Sequence, residues 1–522
     1  MVNQKQTDGD FAALLCALSF ATGLGFGGHL EHGLGCAYLG LQIADALTLE
    51  SQEREAIFYG ALLKDVACTA CSAGIAAFLP DEEQVSLSDV ILMDPSHLSD
   101  MIGWLSKYLR LDAHFPSRIT KLLSFLVQCG TIARDTMRSH CEVAELFARQ
   151  LGFPDYVQQA LRFQWERWDG KGMAYKLKGP TIPEAACILH LAQVLELIYH
   201  FSGPEAAQVL AKEKRGTRFH PKAVDAFLAL TQQADFWHKF EEQSTEEALI
   251  ARRPPTVAEC TEQNQIERMC ETLADFVDLK TRESWHHSRT VAEVAERIGN
   301  CLGMKTGELT RLRYAALVHD VGKVAIPVAI LTKGEQRSSS EWETLRLHPY
   351  YTQRILERVA SLQALAPAAS AHHEWVNGQG YHRQLCGEQI PLHGRILAVA
   401  NSYVRLIQQQ GDQTDQAAVL QKMHALVDSQ FDRACYEALV TSVTKGHDIQ
   451  YISPRSLAVG NLTKREVEVL SLLAKGYNTP QIARTLHISR KTVEHHLSHI
   501  YKKIGVTCRT AAVVYAVQQG IV

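Results

Sequence analysis

The sequence predicts an all-α protein: a duplicated helical domain followed by a short basic helical tail. Three observations carry that prediction. Apolar residues recur at three- and four-residue spacing with few alternating runs, as in Ala37-Tyr38, Leu41, Ala44 and Leu47, or Val291, Val294-Ala295 and Ile298. Motifs of the first half return at fixed offsets in the second. From Asn461 to Val522 nine Lys/Arg stand against three Asp/Glu, a net of +6, while the rest of the chain carries −10. A basic tail on an acidic body points to nucleic acid.

At 522 residues the chain exceeds one core and fits three or four units of about 100–200 residues. A composition of 46% hydrophobic and 21% charged residues excludes a disordered, collagenous or coiled-coil protein. Thirteen cysteines without a disulfide-like rhythm suit a reducing compartment, so a cytoplasmic location is expected. The uncharged stretch from Phe11 to Gly28 lacks a basic flank and runs into His29, Glu31 and His32. It reads as a buried first helix rather than a membrane segment, and no membrane partner is expected.

Breaks in periodicity divide the chain. Charge and Arg252-Arg253-Pro254-Pro255 mark a linker over 242–264, and Ile452-Ser453-Pro454-Arg455-Ser456 mark another over 451–460. The units are then 1–241, 265–450 and 461–522. His32 and His287 are 255 apart, as are Asp65 and Asp320. Further on the offset is 208, pairing His140 with His348, Trp165-Glu166 with His373-Glu374, and Gly170-Lys171-Gly172 with Gly378-Gln379-Gly380. The change of 47 fits an insertion in the first copy between Cys68 and His140.

The second copy gathers metal-ligand chemistry. Glu283 and His287, four apart, share a helix face. His319-Asp320 closes an apolar run and precedes Gly322-Lys323; His348, His372-His373 and Asn401 follow. Imidazoles and carboxylates in this number suit two or more ions of iron, manganese or zinc, able to neutralise phosphodiester oxygens.

This order of residues resembles the HD-GYP family of metal-dependent phosphohydrolases over about Asp275 to Ile407. The resemblance implies an all-α fold that cleaves cyclic dinucleotides, chiefly cyclic di-GMP. It places His287, His319, Asp320, His348, His372 and His373 on family ligands, Glu283 on an extra carboxylate of three-metal members, and Lys323 against the scissile phosphate. Asp320 and Lys323 are the implied catalytic pair, and two or three ions are implied, iron or manganese ahead of zinc. Three departures weaken hydrolysis. Asn401 replaces the final ligand Asp, and the DGxGYP loop carries Asn377 and His382 in place of its Asp and Pro.

In the first copy His32, Asp65 and His140 remain, while Lys64, Cys68, Gln164-Trp165 and Gln193 replace the other family positions. Three incomplete ligands are not expected to hold a cluster, which leaves packing, a dimer surface or a small-molecule pocket as roles. Trp165-Glu166-Arg167-Trp168-Asp169-Gly170 still resembles the family's HHERxDG loop. Cys68-Thr69-Ala70-Cys71 is formally CxxC, but without further ligands it reads as buried thiols.

The tail reads as capped helices. Thr463 and Glu466 form a capping box before Val467, Leu470 and Leu473; Gly476 ends that helix. Thr479-Pro480 is expected to open a short second helix, and Ser489 a third running to Ile504 and closed by Gly505. A short helix, a turn and a longer basic helix make a helix-turn-helix. The unit resembles the four-helix LuxR-type DNA-binding domain. That resemblance implies double-stranded DNA as partner and a homodimer. It places Lys491, Thr492, Val493 and His496 in the recognition helix, with Val493 facing bases. Arg490, near the start of that helix, is also expected at the DNA, with Lys502, Lys503 and Arg509 at phosphates.

The whole resembles bacterial regulators with two HD-type modules before a LuxR-type domain. The expectation is a transcriptional regulator whose modules bind a metal, a cyclic dinucleotide-type effector, or both. The alternatives are an active cyclic di-GMP phosphodiesterase with a DNA-binding tail, and a body that serves only as a dimerisation scaffold.

Overall fold

The computed structural model describes residues 2–25, 31–67, 134–254, 262–278, 280, 286–410, 415–445, 462–519 and 521. Among them there is no strand, only three isolated bridges, and the all-α class read from the sequence is the observed one. Every cysteine among the described residues is a free thiol. Cys68 and Cys71 lie outside the described residues.

The chain divides into two units, one of Phe11–Glu259 with Val506–Ala511, the other of Met1–Asp10, Cys260–Gly505 and Ala512–Val522. The first module contributes α1 (Val2–Gly25) from Phe11 onward, α2 (His32–Ala46), α3 (Ser51–Leu63), α4 (134–150), α5 (Asp155–Arg162), α6 (Glu184–Lys214), α7 (Pro221–Leu230), α8 (Phe236–Gln243) and α9 (Glu246–Ala251). α2 is apolar almost all round and is accordingly buried between α3 and α6. Phe11 to Leu18 of α1 are buried, as expected of a core helix. α6 is long and apolar enough to cross a membrane, yet 72% of its apolar window is buried within the protein. It kinks at Gly203, where φ is 84°, next to Pro204. The stretch read as the first linker contains α9, whose Leu249 is fully buried.

The second module consists of α10 (Glu262–Asp278), α11 (His287–Cys301), α12 (Thr306–Val318), α13 (Val328–Thr332), α14 (Ser339–Arg346), α15 (His348–Glu357), α16 (Ala366–Ala369), α17 (Leu392–Gln410), α18 (Gln416–His424) and α19 (Arg433–Lys445). α11 is its centre, packed on α12, α17 and α19 through Val291, Val294, Ala295 and Ile298.

The duplication extends to individual hydrogen bonds. Glu166 accepts from the backbone of Tyr175 and Leu177, and Glu374 accepts from Arg383 and Leu385, all 208 residues on. Asp169 N–H donates to Thr217 O, and Asn377 N–H to Ser429 O. Gly179 N–H donates to Trp168 O, and Gly387 N–H to Val376 O.

The tail folds as α20 (Lys464–Ala474), α21 (Thr479–Thr485), α22 (Arg490–Ile504) and α23 (Arg509–Gln518). Its caps are those the sequence predicts, with one shift. Thr463 and Glu466 form the capping box, Ser489 caps α22, and Gly505 closes it at φ 75°. The cap of α21 is Asn478, not Thr479: the Asn478 side chain accepts from Gln481 N–H at 3.0 Å, which puts Thr479 inside the helix.

Candidate functional site

The apolar run of α12 ends at His319-Asp320, and a tight 3-10 turn over Val321–Ala325 follows. Position 322 accepts only glycine, because a Cβ there would lie 2.0 Å from His348 O. Thr352 of α15 locks the approach: its hydroxyl accepts from Gly322 N–H (3.0 Å) and donates to His319 O (2.9 Å). From below, the buried Lys280 ammonium donates to Lys323 O (3.0 Å) and Val324 O (2.6 Å). Asp278 fixes the start of α11, and so His287, by accepting from the N–H and hydroxyl of Ser288 at 2.8 and 2.9 Å. Neither Asp278 nor Lys280 carries a sequence signal; only the packing of α10 brings them here.

His319, His348 and His372 each donate Nδ1–H to a carbonyl three residues back, those of Ala316, Leu345 and Ala369, at 2.6–2.7 Å. That fixes the tautomer and turns each Nε2 lone pair inward. Asp320 stands between two sets of these nitrogens. Its Oδ2 lies 3.3 Å from His319 Nε2 and 3.7 Å from His287 Nε2; its Oδ1 lies 3.5 Å from both His348 Nε2 and His372 Nε2. His287, His319 and Asp320 make one ligand group, and His348, His372 and His373 another. Lys323 pairs with Asp320 Oδ2.

The electrostatics are those of a metal site. Burial drives His287 down to about 4 and holds His348, His372 and His373 below the ordinary imidazole range, so these four imidazoles are neutral near pH 7. Burial opposes the charge of Asp320, but His319 and Lys323 keep its carboxyl well below the usual range. The atoms left over ask for a cation. His319 Nε2 and Asp320 Oδ1 find no hydrogen-bond partner among the described residues. The lone pairs of His348 Nε2 and His372 Nε2 face each other at 3.1 Å. Gln408 accepts from His287 Nδ1–H (2.9 Å), which leaves the His287 Nε2 lone pair against Asn401 Oδ1, also at 2.9 Å. Converging acceptors are stable only around a positive ion, so the residues present fit a divalent metal.

Asn401 therefore stands beside the predicted ligands, as an amide oxygen. Gln408 was missed, although its seven-residue spacing from Asn401 puts both on one face of α17. Tyr381 stacks on His373, with ring centroids 4.7 Å apart. Glu283 lies outside the described residues.

The first copy is built differently. Lys64, fully buried, pairs with Asp65. Trp165 Nε1 donates to His140 Nδ1 at 3.4 Å, and burial lowers His140 to about 4.

In the tail Arg490, Lys491, Thr492, Lys502 and Arg509 are exposed and His496 is half-buried. Val493 departs from expectation. It is fully buried, on one stripe with Leu497, Ile500 and Ile504, so it packs the helix-turn-helix and does not face bases. Lys503 is held by Glu466 at 2.7 Å and is committed to bracing α20 against α22.

Comparison with known proteins agrees with both regions. The family model for the HD domain matches residues 271–435, and that for bacterial regulatory proteins of the luxR family matches residues 460–516. The 3'3'-cGAMP-specific phosphodiesterase 3 of Vibrio cholerae is 27% identical over 390 residues, which are 75% of this chain and 85% of that protein. The crystal structure of a cyclic GMP-AMP-specific phosphodiesterase of V. cholerae (V-cGAP3) shares the fold, with a TM-score of 0.57 and 24% identity, over 84% of this chain and 98% of that one. The response regulator protein VraR of Staphylococcus aureus is 49% identical over 61 residues, 12% of this chain and 29% of its own length. The chain thus joins an HD domain, homologous to HD-GYP-type cyclic-dinucleotide phosphodiesterases, to a C-terminal DNA-binding domain of the luxR family.

Proposed function

We propose that this protein is a DNA-binding transcriptional regulator, cytoplasmic and homodimeric, whose second HD module binds divalent metal and a cyclic dinucleotide effector. In this reading 1–241 and 265–450 are the two modules and 461–522 is the DNA reader. The observation that carries the proposal is Asp320, one carboxylate facing two histidine groups, in a chain whose exposed Arg490, Lys491 and Thr492 open a recognition helix. Bound iron or manganese would supply Lewis acidity toward phosphate oxygens. Of the chain's own groups, His287, His319, Asp320, His348, His372, His373 and Asn401 hold the ions. Lys323 Nζ, beside Asp320, neutralises phosphate charge. Arg490, Lys491, Thr492 and His496 meet the groove, and Lys502 and Arg509 the phosphates.

A second reading, hydrolysis of the cyclic dinucleotide, is favoured by the complete histidine set with Lys323 in place. Asn401 counts against it, since it removes one negative charge from the ligand set. The test is anaerobic turnover of cyclic di-GMP and 3'3'-cGAMP with Fe(II) or Mn(II), beside Asn401→Asp, together with DNA-fragment selection by the full-length protein. The regulator reading expects selected fragments whose affinity changes about 5–150-fold with the nucleotide, and turnover absent or confined to Asn401→Asp. Wild-type turnover without any nucleotide effect on DNA affinity would overturn it in favour of the enzyme. Selected fragments indifferent to nucleotide and metal would leave only the DNA reader.

A further inference from the structure

A metal-ligand group that joins one family position, His32, to two residues outside the family's positions lies in the first module. His32 on α2, Cys36 one turn along, and Glu196 on α6 are all buried, with ligand atoms within 4.8 Å of one another. Glu196 Oε2 is paired with His32 Nδ1. Cys36 Sγ lies 3.6 Å from Nδ1 and 3.7 Å from Nε2 of the same ring.

The register of the repeat shows how unusual this group is. Cys36 and Glu196 stand where the second module has Val291 and Val404, both buried apolar residues. Gly35 stands where it has Thr290, and a Cβ at Gly35 would lie 2.8 Å from Glu196 Cγ and 3.0 Å from Oε1. Three differences between the copies therefore meet at one contact of α2 with α6: two bring donor atoms and the third makes room. Burying a carboxylate in place of a valine is strongly unfavourable without a cation. The pairing with His32 answers for Glu196, but it gives Cys36 no role.

The surroundings complete the charge count. Lys64, Asp65 and Glu196 all lie close enough for their charges to act on Cys36. Asp65 Oδ1 has no hydrogen-bond partner among the described residues. With Cys36 as thiolate, three negative groups face one ammonium, and a single divalent ion balances the remainder.

We propose that the first module binds one zinc ion through His32, Cys36 and Glu196, leaving a fourth position to Asp65 or water. Imidazole, thiolate and carboxylate are all zinc donors, and the sulfur selects against manganese. Burial raises the Cys36 thiol well above its usual range, so the unloaded site keeps its proton, and zinc binding releases that proton to solvent. This site shares no ligand with the second module and does not depend on the function proposed there.

The test is titration of the metal-stripped full-length protein with Co(II), reading the near-ultraviolet sulfur-to-cobalt charge-transfer absorption. An all-nitrogen-and-oxygen site such as that of the second module lacks this band. The expected result is a band saturating at about one cobalt per chain and displaced by zinc. It should vanish in Cys36→Val and weaken at least ~10-fold in affinity in Glu196→Gln, while Cys71→Ser leaves it intact. Should Cys36→Val disturb folding, Cys36→Ser keeps the shape and still removes the thiolate. A band that survives both Cys36 variants, or no band in the wild type, overturns the proposal.

Discussion

The two modules share a scaffold and differ in where the positive charge comes from. In the second, Asp320 faces the Nε2 atoms of His287, His319, His348 and His372, and the leftover lone pairs leave a place for an exchangeable cation. In the first, the histidine before the aspartate has become Lys64, and its ammonium, fully buried, pairs with Asp65. The chain has tied a cation covalently to the spot where its duplicate leaves room for one that dissociates. Gln164 and Gln193, at the positions of His372 and Asn401, stay fully buried. The loop that follows is nevertheless held identically in both copies, by Glu166 and by Glu374. The comparison teaches that ligand chemistry and loop geometry are specified by different residues and can be lost separately.

The largest effect should come from the two aspartates. Asp320→Asn removes the only described carboxylate from the ligand set. It should weaken manganese binding by more than the ~10–100-fold that outer-shell partners are worth, whereas Asp65→Asn should leave it unchanged. Titration of the full-length variants by calorimetry checks this; equal losses would erase the distinction between the copies.

Next in size are the loop anchors. Glu374→Gln and Glu166→Gln each put an amide NH2 toward backbone donors or leave one donor unmet, at a cost of about 1–3 kcal/mol. Hydrogen exchange should rise at Arg383 and Leu385 in one variant and at Tyr175 and Leu177 in the other, by similar factors. A change confined to the second copy would show that ligands, not anchors, hold the loop.

The smallest effect lies in the tail, where both modules serve as an internal reference. Burial alone would raise the Glu466 carboxyl, but hydrogen bonds from Lys503 and Thr463 bring it down to about 2. A carboxyl near 4.3 when unfolded and near 2 when folded favours the folded state above the higher value. That contribution fades as pH falls through the lower one. Exchange protection of Val469 and Leu470 should therefore drop between roughly pH 4 and 2, and Glu466→Gln should flatten that drop. An unchanged profile in the variant would mean that the pair does not brace α20.

The fold class was legible because helical periodicity is written locally, and the second ligand set because His and Asp recur in a fixed order. The tail's caps were legible for the same reason, to within the one-residue shift from Thr479 to Asn478. Val493 was misread although the signal was present: it shares the 4-3-4 spacing of Leu497, Ile500 and Ile504, which marks the buried stripe. Glu196 and Cys36 were not legible. His32 and Glu196 are 164 residues apart and meet only because α2 packs on α6. Comparison with family positions looks for losses there, and these are gains. Asp278 and Lys280 belong to the same class, polar residues whose partners exist only after packing.

Because Glu374 anchors its loop through two backbone N–H groups, the shape of that loop does not depend on a bound ion. Small zinc domains are in the opposite position, since chelation unfolds them. Here stripping and reloading an ion should leave that loop in place. Under the proposed function, metal supply would then be registered at the same address as the nucleotide, without spending a folded molecule on each change.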